Sequence, residues 1–183
     1  DGSPLAHHRP EFLAQDPATI AVRSLRDNWI AWGTERGRVL LGSVQFKLDY
    51  ATGTRQILPQ YEERESVDFS AAVQTIQALA VEEDGEGRSG IAILGEYGQL
   101  LVSLREQQQG LLGPGELIVG LHELSQDLPS EATVLLLNRS VGRLLAGLKD
   151  GTVAEWKLGS VEDRPRYIGV FKASDKPITA LNY

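Results

Sequence analysis

Two apolar runs flank a Lys-Asp-Gly turn in the stretch RLLAGLKDGTVAEW, which covers residues 143–156. Asp-Gly between apolar runs is among the strongest short-range signals for a β-hairpin, because glycine readily adopts the positive φ that tight turns need. The same order of apolar run, glycine, short polar turn, glycine and second apolar run occurs at residues 29–41 and 91–102. The sequence therefore predicts three β-hairpins of one kind.

Repetition at intervals of tens of residues is typical of a repeat architecture such as a β-propeller, whose blades contain about 40–50 residues. Helical periodicity is weak along the chain, whereas residues 43–50 alternate between polar and apolar as a half-buried strand does. We therefore predict an all-β fold, a partial WD40-like β-propeller of about three blades of antiparallel strands. Residues 1–18 are interpreted as an irregular lead-in and residues 19–183 as the propeller-like domain.

The remaining pattern predicts where other strands and loops lie. Further strands are expected at residues 19–25, 73–81, 116–121, 132–137 and 167–171. Loops are expected at the charged run 62–66, at the acidic, glycine-rich run 82–90, and at residues 107–110 and 113–115.

Composition limits the class of function. The chain has 183 residues, 42% of them hydrophobic and 23% charged, which is ordinary for a globular domain. Its net charge of −7 argues against a nucleic-acid partner, since such proteins usually present a basic face. There is no cysteine, so disulfides, thiol nucleophiles and thiolate metal sites are excluded.

The two ends of the sequence suggest a segment cut from a longer protein. There is no methionine, and residues 178–183 read ITALNY, which resembles the start of a strand. We therefore expect a fragment of a larger domain, with three blades and the first strand of a fourth. Open sheet edges favour association, so a homodimer of the fragment is expected.

Three segments carry a resemblance to a known family. They are HRPEFL at residues 8–13, GRVLLGSVQFK at 37–47 and KPITALNY at 176–183. Together with the third hairpin, which resembles a WD40-like strand pair without the Gly-His and Trp-Asp signatures, they resemble the periplasmic segment of an enlarged phosphate-specific ABC transporter permease of the PstC type.

The resemblance implies a periplasmic domain of an inner-membrane protein. Its implied partners are the other importer subunits or the phosphate-binding protein. The transport pathway of such permeases belongs to membrane helices, so the resemblance assigns no substrate-site residue to this chain.

Candidate metal and phosphate sites are weak. His7 and His8 have only the distant His122 as a further imidazole, and a disordered tail is the favoured interpretation. Residues 82–86 are acidic but lack the alternating ligands of a calcium loop, which favours a solvated loop. The run Gly113-Pro114-Gly115 lacks the Lys-Ser/Thr pair of a phosphate-binding loop.

No catalytic constellation is apparent, and no catalytic, cofactor-binding or metal-binding residue is predicted. Three serines lack a nearby His or Asp pattern that would make a nucleophile, namely Ser89, Ser125 and Ser160. The tryptophans lie within strand patterns, which favours packing over a ligand pocket; they are Trp29, Trp32 and Trp156. The run Arg164-Pro165-Arg166 could contact an anion but is common surface chemistry.

Three classes of function remain open. The leading hypothesis is a non-catalytic interaction or regulatory domain of a phosphate ABC importer permease. The alternative is a WD40-like scaffold domain of a soluble protein assembly. An enzyme built on a propeller, such as a glycosidase, would need converging carboxylates or metal ligands that the sequence does not display, so we predict no enzyme and no cofactor.

Overall fold

Twelve strands form three separate four-stranded antiparallel sheets in the computed structural model, which describes residues 12–24, 29–49, 56–83, 87–109 and 113–182. A short helix, α1 (Phe12–Gln15), precedes them. Sheet 1 contains β1 (Ala18–Arg23), β2 (Trp29–Thr34), β3 (Arg38–Asp49) and β4 (Gln56–Asp68). Sheet 2 contains β5 (Ile76–Glu83), β6 (Arg88–Gly95), β7 (Leu100–Gln109) and β8 (Pro114–Glu123). Sheet 3 contains β9 (Ala132–Asn138), β10 (Arg143–Leu148), β11 (Thr152–Lys157) and β12 (Arg166–Lys172).

The strand order confirms the predicted all-β fold. Each sheet is a meander in which consecutive strands are neighbours, and β5 packs against both β1 and β9. The first strands of the three sheets therefore lie side by side, which is consistent with the blades of a propeller. Among the described residues, no helix has the length and apolar character needed to cross a membrane.

Glycines in the left-handed region close all three predicted hairpins. Gly37, Gly98 and Gly151 have φ of 73°, 78° and 81°. Each donates its backbone N–H to the carbonyl oxygen three residues earlier, at distances of 3.1–3.4 Å. A residue with a Cβ is strained at such φ values, so glycine determines where each hairpin turns.

The register corrects how the three hairpins align. Gly33 lies opposite Ile20 and Gly147 lies opposite Val134, whereas the counterpart of both in sheet 2 is Leu94, opposite Ala78. Gly95 is therefore the first residue of the second turn and does not correspond to Gly33 or Gly147. The position of these two glycines is occupied by Leu94 in the second hairpin.

The predicted loop at residues 62–66 is wrong, because these residues lie within β4, the outermost strand of sheet 1. Charged side chains suit an outer strand, since they find partners without being buried. Glu62 accepts a hydrogen bond from Gln45 at 3.1 Å, the Arg64 guanidinium lies 4.5 Å from the centroid of the Trp29 ring, and Glu65 pairs with Arg105 of sheet 2.

Other boundaries shift for similar reasons. β5 starts at Ile76 rather than at residue 73 and runs on to Glu83, so the predicted loop at 82–90 loses both of its ends to strands. β7 includes residues 107–109 and β8 includes residues 114–115, which were expected in loops. Residues 178–181, expected to begin a strand, are not in a strand.

The core is divided between the two gaps that separate the sheets. One cluster joins sheets 1 and 2 and includes Val39, Leu41, Ile76, Ile91 and Ile93. The larger cluster joins sheets 2 and 3 and includes Leu100, Val102, Leu104, Leu144 and Trp156. Alternate residues of β7 thus face opposite gaps, so the middle sheet is buried on both sides.

Candidate functional site

An open cleft of about 440 Å³ lies where the turn of the second hairpin meets the segment between β8 and β9. It is lined by Glu96, Tyr97, Gly98, Ser125, Leu128, Ser130, Glu131 and Ala132. Tyr97 is 71% exposed, and Glu131 is bound to Lys149 by an ion pair of 2.6 Å. The Ser125 hydroxyl accepts a hydrogen bond from the N–H of Leu100 and donates one to Glu123. The side chains of Ser125 and Glu131 thus serve local structure.

A smaller groove lies between sheets 1 and 2, beside Trp29, Leu41 and Glu82. Its volume of about 10 Å³ is close to what a single water molecule needs. The Ser24 hydroxyl that lines it is buried and has no hydrogen-bond partner among the described residues. This groove therefore has the size of a water site rather than that of an organic ligand.

Asp127 joins the segment after β8 to sheet 3. Its carboxylate accepts hydrogen bonds from the indole N–H of Trp156 at 3.0 Å and from Arg164 at 2.8 Å. Trp156 is fully buried, and its ring centroid lies 5.6 Å from that of Tyr167. The arrangement satisfies the only polar atom of the buried indole, which a buried tryptophan requires.

Glu82 provides a polar link between sheets 2 and 3. Its side chain is 3% exposed, and its carboxylate accepts a hydrogen bond from the backbone N–H of Arg139. Arg139 is also buried, and its guanidinium donates to the carbonyl oxygen of Gly159 at 3.4 Å. The predicted solvated acidic loop is therefore wrong for Glu82, because this carboxylate has a structural role between two sheets.

We expect Glu82→Ala to lower the free energy of unfolding by about 1–3 kcal/mol, because it leaves the buried N–H of Arg139 without its acceptor. The measurement is urea unfolding followed by far-ultraviolet circular dichroism. Glu162→Ala is the control, since Glu162 is exposed and its loss changes the net charge equally. Equal midpoints for the two variants would contradict the prediction.

Exposed apolar side chains are concentrated on outermost strands. On β8 they alternate along one face at Leu117, Val119 and Leu121, which are 47–57% exposed. The same face carries Arg105, which lies opposite Val119 and reaches Glu65 on β4. On β12, Ile168, Val170 and Phe171 are 45–50% exposed. Such surfaces are suited to contact with other proteins.

The residues singled out in the sequence do not come together in one place. His7 and His8 lie outside the described residues, and His122 is bonded through Nε2 to the carbonyl oxygen of Val161 at 2.9 Å. Ser160 donates to Asp163 at 2.8 Å. Among the described residues, no group of three or more His, Cys, Asp or Glu side chains could hold a metal ion.

The remaining sequence candidates also have structural partners. Gly115 accepts a hydrogen bond from the side-chain amide of Gln107, within the β7–β8 pair. Ser89 lies in β6 and lines the groove beside Glu82. Trp32 is half-buried and meets Tyr61 edge-on at 5.6 Å between ring centroids. Arg164 contacts Asp127 rather than standing free for an anion.

The resolved pKa shifts belong to structural groups. Burial raises the pKa of the Tyr61 phenol to about 12, and the nearby charge of Glu63 adds to the effect. Hydrogen bonds donated by Thr152, first from its hydroxyl and then from its backbone N–H, lower the pKa of the Asp150 carboxyl. Hydrogen bonds from Ser70 lower the pKa of the Asp68 carboxyl in the same way, so this shift also reflects a turn.

Sequence reasoning missed the polar links of Glu82 and Asp127. Each joins residues far apart in the chain, Glu82 with Arg139 and Asp127 with Trp156 and Arg164. The one available signal was a tryptophan within an apolar strand pattern, because a buried indole N–H needs an acceptor. No protein-family model matches the chain, and a search of the curated proteins found no match.

Proposed function

We propose that this protein is a non-catalytic extracytoplasmic interaction or regulatory domain of a phosphate ABC importer permease, located on the periplasmic side of the inner membrane. The proposal rests on the resemblance carried by residues 8–13, 37–47 and 176–183. The observation that best supports an interaction role is the exposed apolar face of β8, with Leu117, Val119 and Leu121 in a row. Its partners would be other importer subunits or the phosphate-binding protein.

Binding to the importer's phosphate-binding protein tests this proposal. We expect the 183-residue chain to bind the phosphate-loaded form with a micromolar Kd in biolayer interferometry, and the phosphate-free form more weakly. Leu117→Ser/Val119→Ser/Leu121→Ser should reduce the affinity, whereas Ile168→Ser/Val170→Ser on β12 serves as a matched neutral control. Absence of binding to both forms of the binding protein would count against the importer and favour the alternative.

The alternative is a WD40-like scaffold domain of a soluble assembly. The same blades and the same exposed strands would serve it equally well. The natural coding sequence separates the two, because flanking apolar stretches of about 20 residues support a transporter. Flanks without such stretches favour the scaffold.

We expect no tight binding of inorganic phosphate by this chain. Its net charge of −7 disfavours the binding of anions. Four arginines already form ion pairs with carboxylates: Arg38 with Asp16, Arg105 with Glu65, Arg143 with Glu155 and Arg164 with Asp127. Isothermal titration calorimetry with phosphate at neutral pH should show no saturable heat at micromolar concentrations, with sulfate as the control anion. A micromolar Kd specific for phosphate would make the domain a sensor.

We also expect the isolated chain to associate with itself. Half-exposed apolar side chains lie on the outermost strands β8 and β12, and unpaired outer edges favour association. Light scattering at micromolar concentration should report a mass above the 20.0 kDa of one chain, most simply that of a symmetric dimer. A monomeric mass throughout this range would contradict the expectation.

A further inference from the structure

An isoleucine fills the space left by a glycine where sheet 2 follows sheet 1. A Cβ on Gly33 would lie 2.6 Å from Cγ2 of Ile76 and 2.9 Å from Cγ2 of Ile20. The Thr19 hydroxyl is shared between the carbonyl oxygens of Gly33, at 3.2 Å, and Ile76. Ile76 is the first residue of β5, so this contact marks where the innermost strand of the next sheet begins.

The same arrangement occurs again after sheet 3. A Cβ on Gly147 would lie 2.5 Å from Cγ2 of Ile178 and 2.7 Å from Cγ1 of Val134. The Thr133 hydroxyl is shared between the carbonyl oxygens of Gly147, at 3.0 Å, and Ile178. Ile178 also donates its backbone N–H to Leu148 at 3.1 Å. Residue for residue, Ile178 takes the place that Ile76 has on sheet 1.

The junction between sheets 2 and 3 shows that these positions are matched in size. There the glycine position is held by Leu94 and the isoleucine position by Ala132, and both are buried in the core between the two sheets. A large residue is thus matched with a small one in all three places, and between sheets 2 and 3 the two sizes are exchanged. The pairing of Gly147 with Ile178 is therefore the pattern of a sheet junction and not a chance contact.

The chain reaches both isoleucines by the same route. A Cβ on Gly37 would lie closer than 3.0 Å to the carbonyl oxygen of Val73, and a Cβ on Gly151 closer than 3.0 Å to that of Ser174. In each case the segment that leaves an outermost strand crosses over the glycine of the hairpin turn before the isoleucine. Residues 174–178 thus repeat the path of residues 73–76.

We propose that the face of sheet 3 that points away from sheet 2 is the seat of a further four-stranded blade of the same repeat, whose innermost strand begins at Ile178. That face carries Leu145, Val153 and Phe171, because their neighbours Leu144 and Ala154 face sheet 2. Phe171 is 50% exposed, so the outer part of the seat is open. The proposal does not depend on the importer.

The proposal is tested with chains that are lengthened after Leu181 by strands from this protein's own repeat, joined in the register of that repeat. Leu181 corresponds to Leu79 of β5 and to Leu135 of β9, so one extension appends residues 80–123 after Leu181 and another appends residues 136–172. The natural chain has no cysteine, so Phe171→Cys provides a single thiol on the seat. Val141→Cys, at a 60% exposed position in the turn between β9 and β10, is the matched control.

Maleimide labelling is measured at a concentration where light scattering finds the unextended chain monomeric. We expect at least one extension to slow labelling at position 171 ten-fold or more and to leave position 141 unchanged. Ile178→Ser in the extended chain should restore fast labelling. Unchanged labelling at position 171 in both extensions would overturn the proposal. Protection that grows with concentration equally in extended and unextended chains would assign the face to a second copy and also overturn it.

Discussion

Gly151→Ala is expected to lower the free energy of unfolding by about 3 kcal/mol or more, the larger share coming from crowding. Gly151 has a φ of 81°, and an added Cβ would lie closer than 3.0 Å to the backbone carbonyl oxygen of Ser174. Backbone cannot move aside as the end of a flexible side chain can. The third hairpin would therefore lose its contact with the segment that leads to Ile178.

Gly98→Ala separates the two causes. Gly98 has nearly the same φ, 78°, but an added Cβ would meet no atom within 4 Å. We expect only the backbone cost, about 1–2 kcal/mol. Urea unfolding of both variants, followed by circular dichroism, gives the comparison. Equal losses would mean that the backbone conformation alone accounts for the effect and that the Ser174 contact is unimportant.

Trp156→Ala is expected to cost about 3–5 kcal/mol, the range for removing a large aromatic side chain from a core. Trp156 is the largest of the fully buried side chains and lies in the core between sheets 2 and 3. Its loss would leave a cavity beside Tyr167 and remove a hydrogen bond to Asp127.

Trp32→Ala is the matched control, because Trp32 is half-buried and packs edge-on against Tyr61 of β4. Its loss should cost clearly less than that of Trp156. Thermal unfolding by differential scanning calorimetry measures both. A larger loss for Trp32 would mean that the gap between sheets 2 and 3 contributes less to stability than its burial implies.

The hairpins could be predicted from the sequence because their signal is local. The positive φ of Gly37, Gly98 and Gly151 is a property of single residues, and glycine is the residue that tolerates it. Strand β9, at residues 132–138, was equally readable, since a run of branched apolar residues between polar ones is typical of a buried strand.

The outermost strands were harder to predict because little of their surface is buried. Residues 62–66 carry four charges in five positions, a composition typical of a loop, yet they belong to a strand that pairs with β3 on both sides of an irregularity at Arg64. Their conformation is set by a neighbouring strand and by Arg105 of another sheet. The amino-acid composition of residues 62–66 indicates neither the neighbouring strand nor the contact with Arg105.

The partners in the polar links between sheets could not be predicted from the sequence. Glu82 stands at the start of an acidic run, and only the fold brings it to Arg139. The same holds for Asp127, in the segment between β8 and β9, and Trp156, in β11. Any functional surface formed across such gaps is equally invisible in a single sequence.

The reversed sizes at the sheet junctions fix the order of the blades. Moving sheet 3 directly after sheet 1 would set Ala132 against Gly33 and leave a void where Ile76 now fits. Placing an isoleucine-led blade after sheet 2 would press its side chain onto Leu94. Recombination that changes the order of the sheets would therefore leave a cavity at one junction and a steric clash at the next. The blades of this protein share one pattern, but they are not interchangeable.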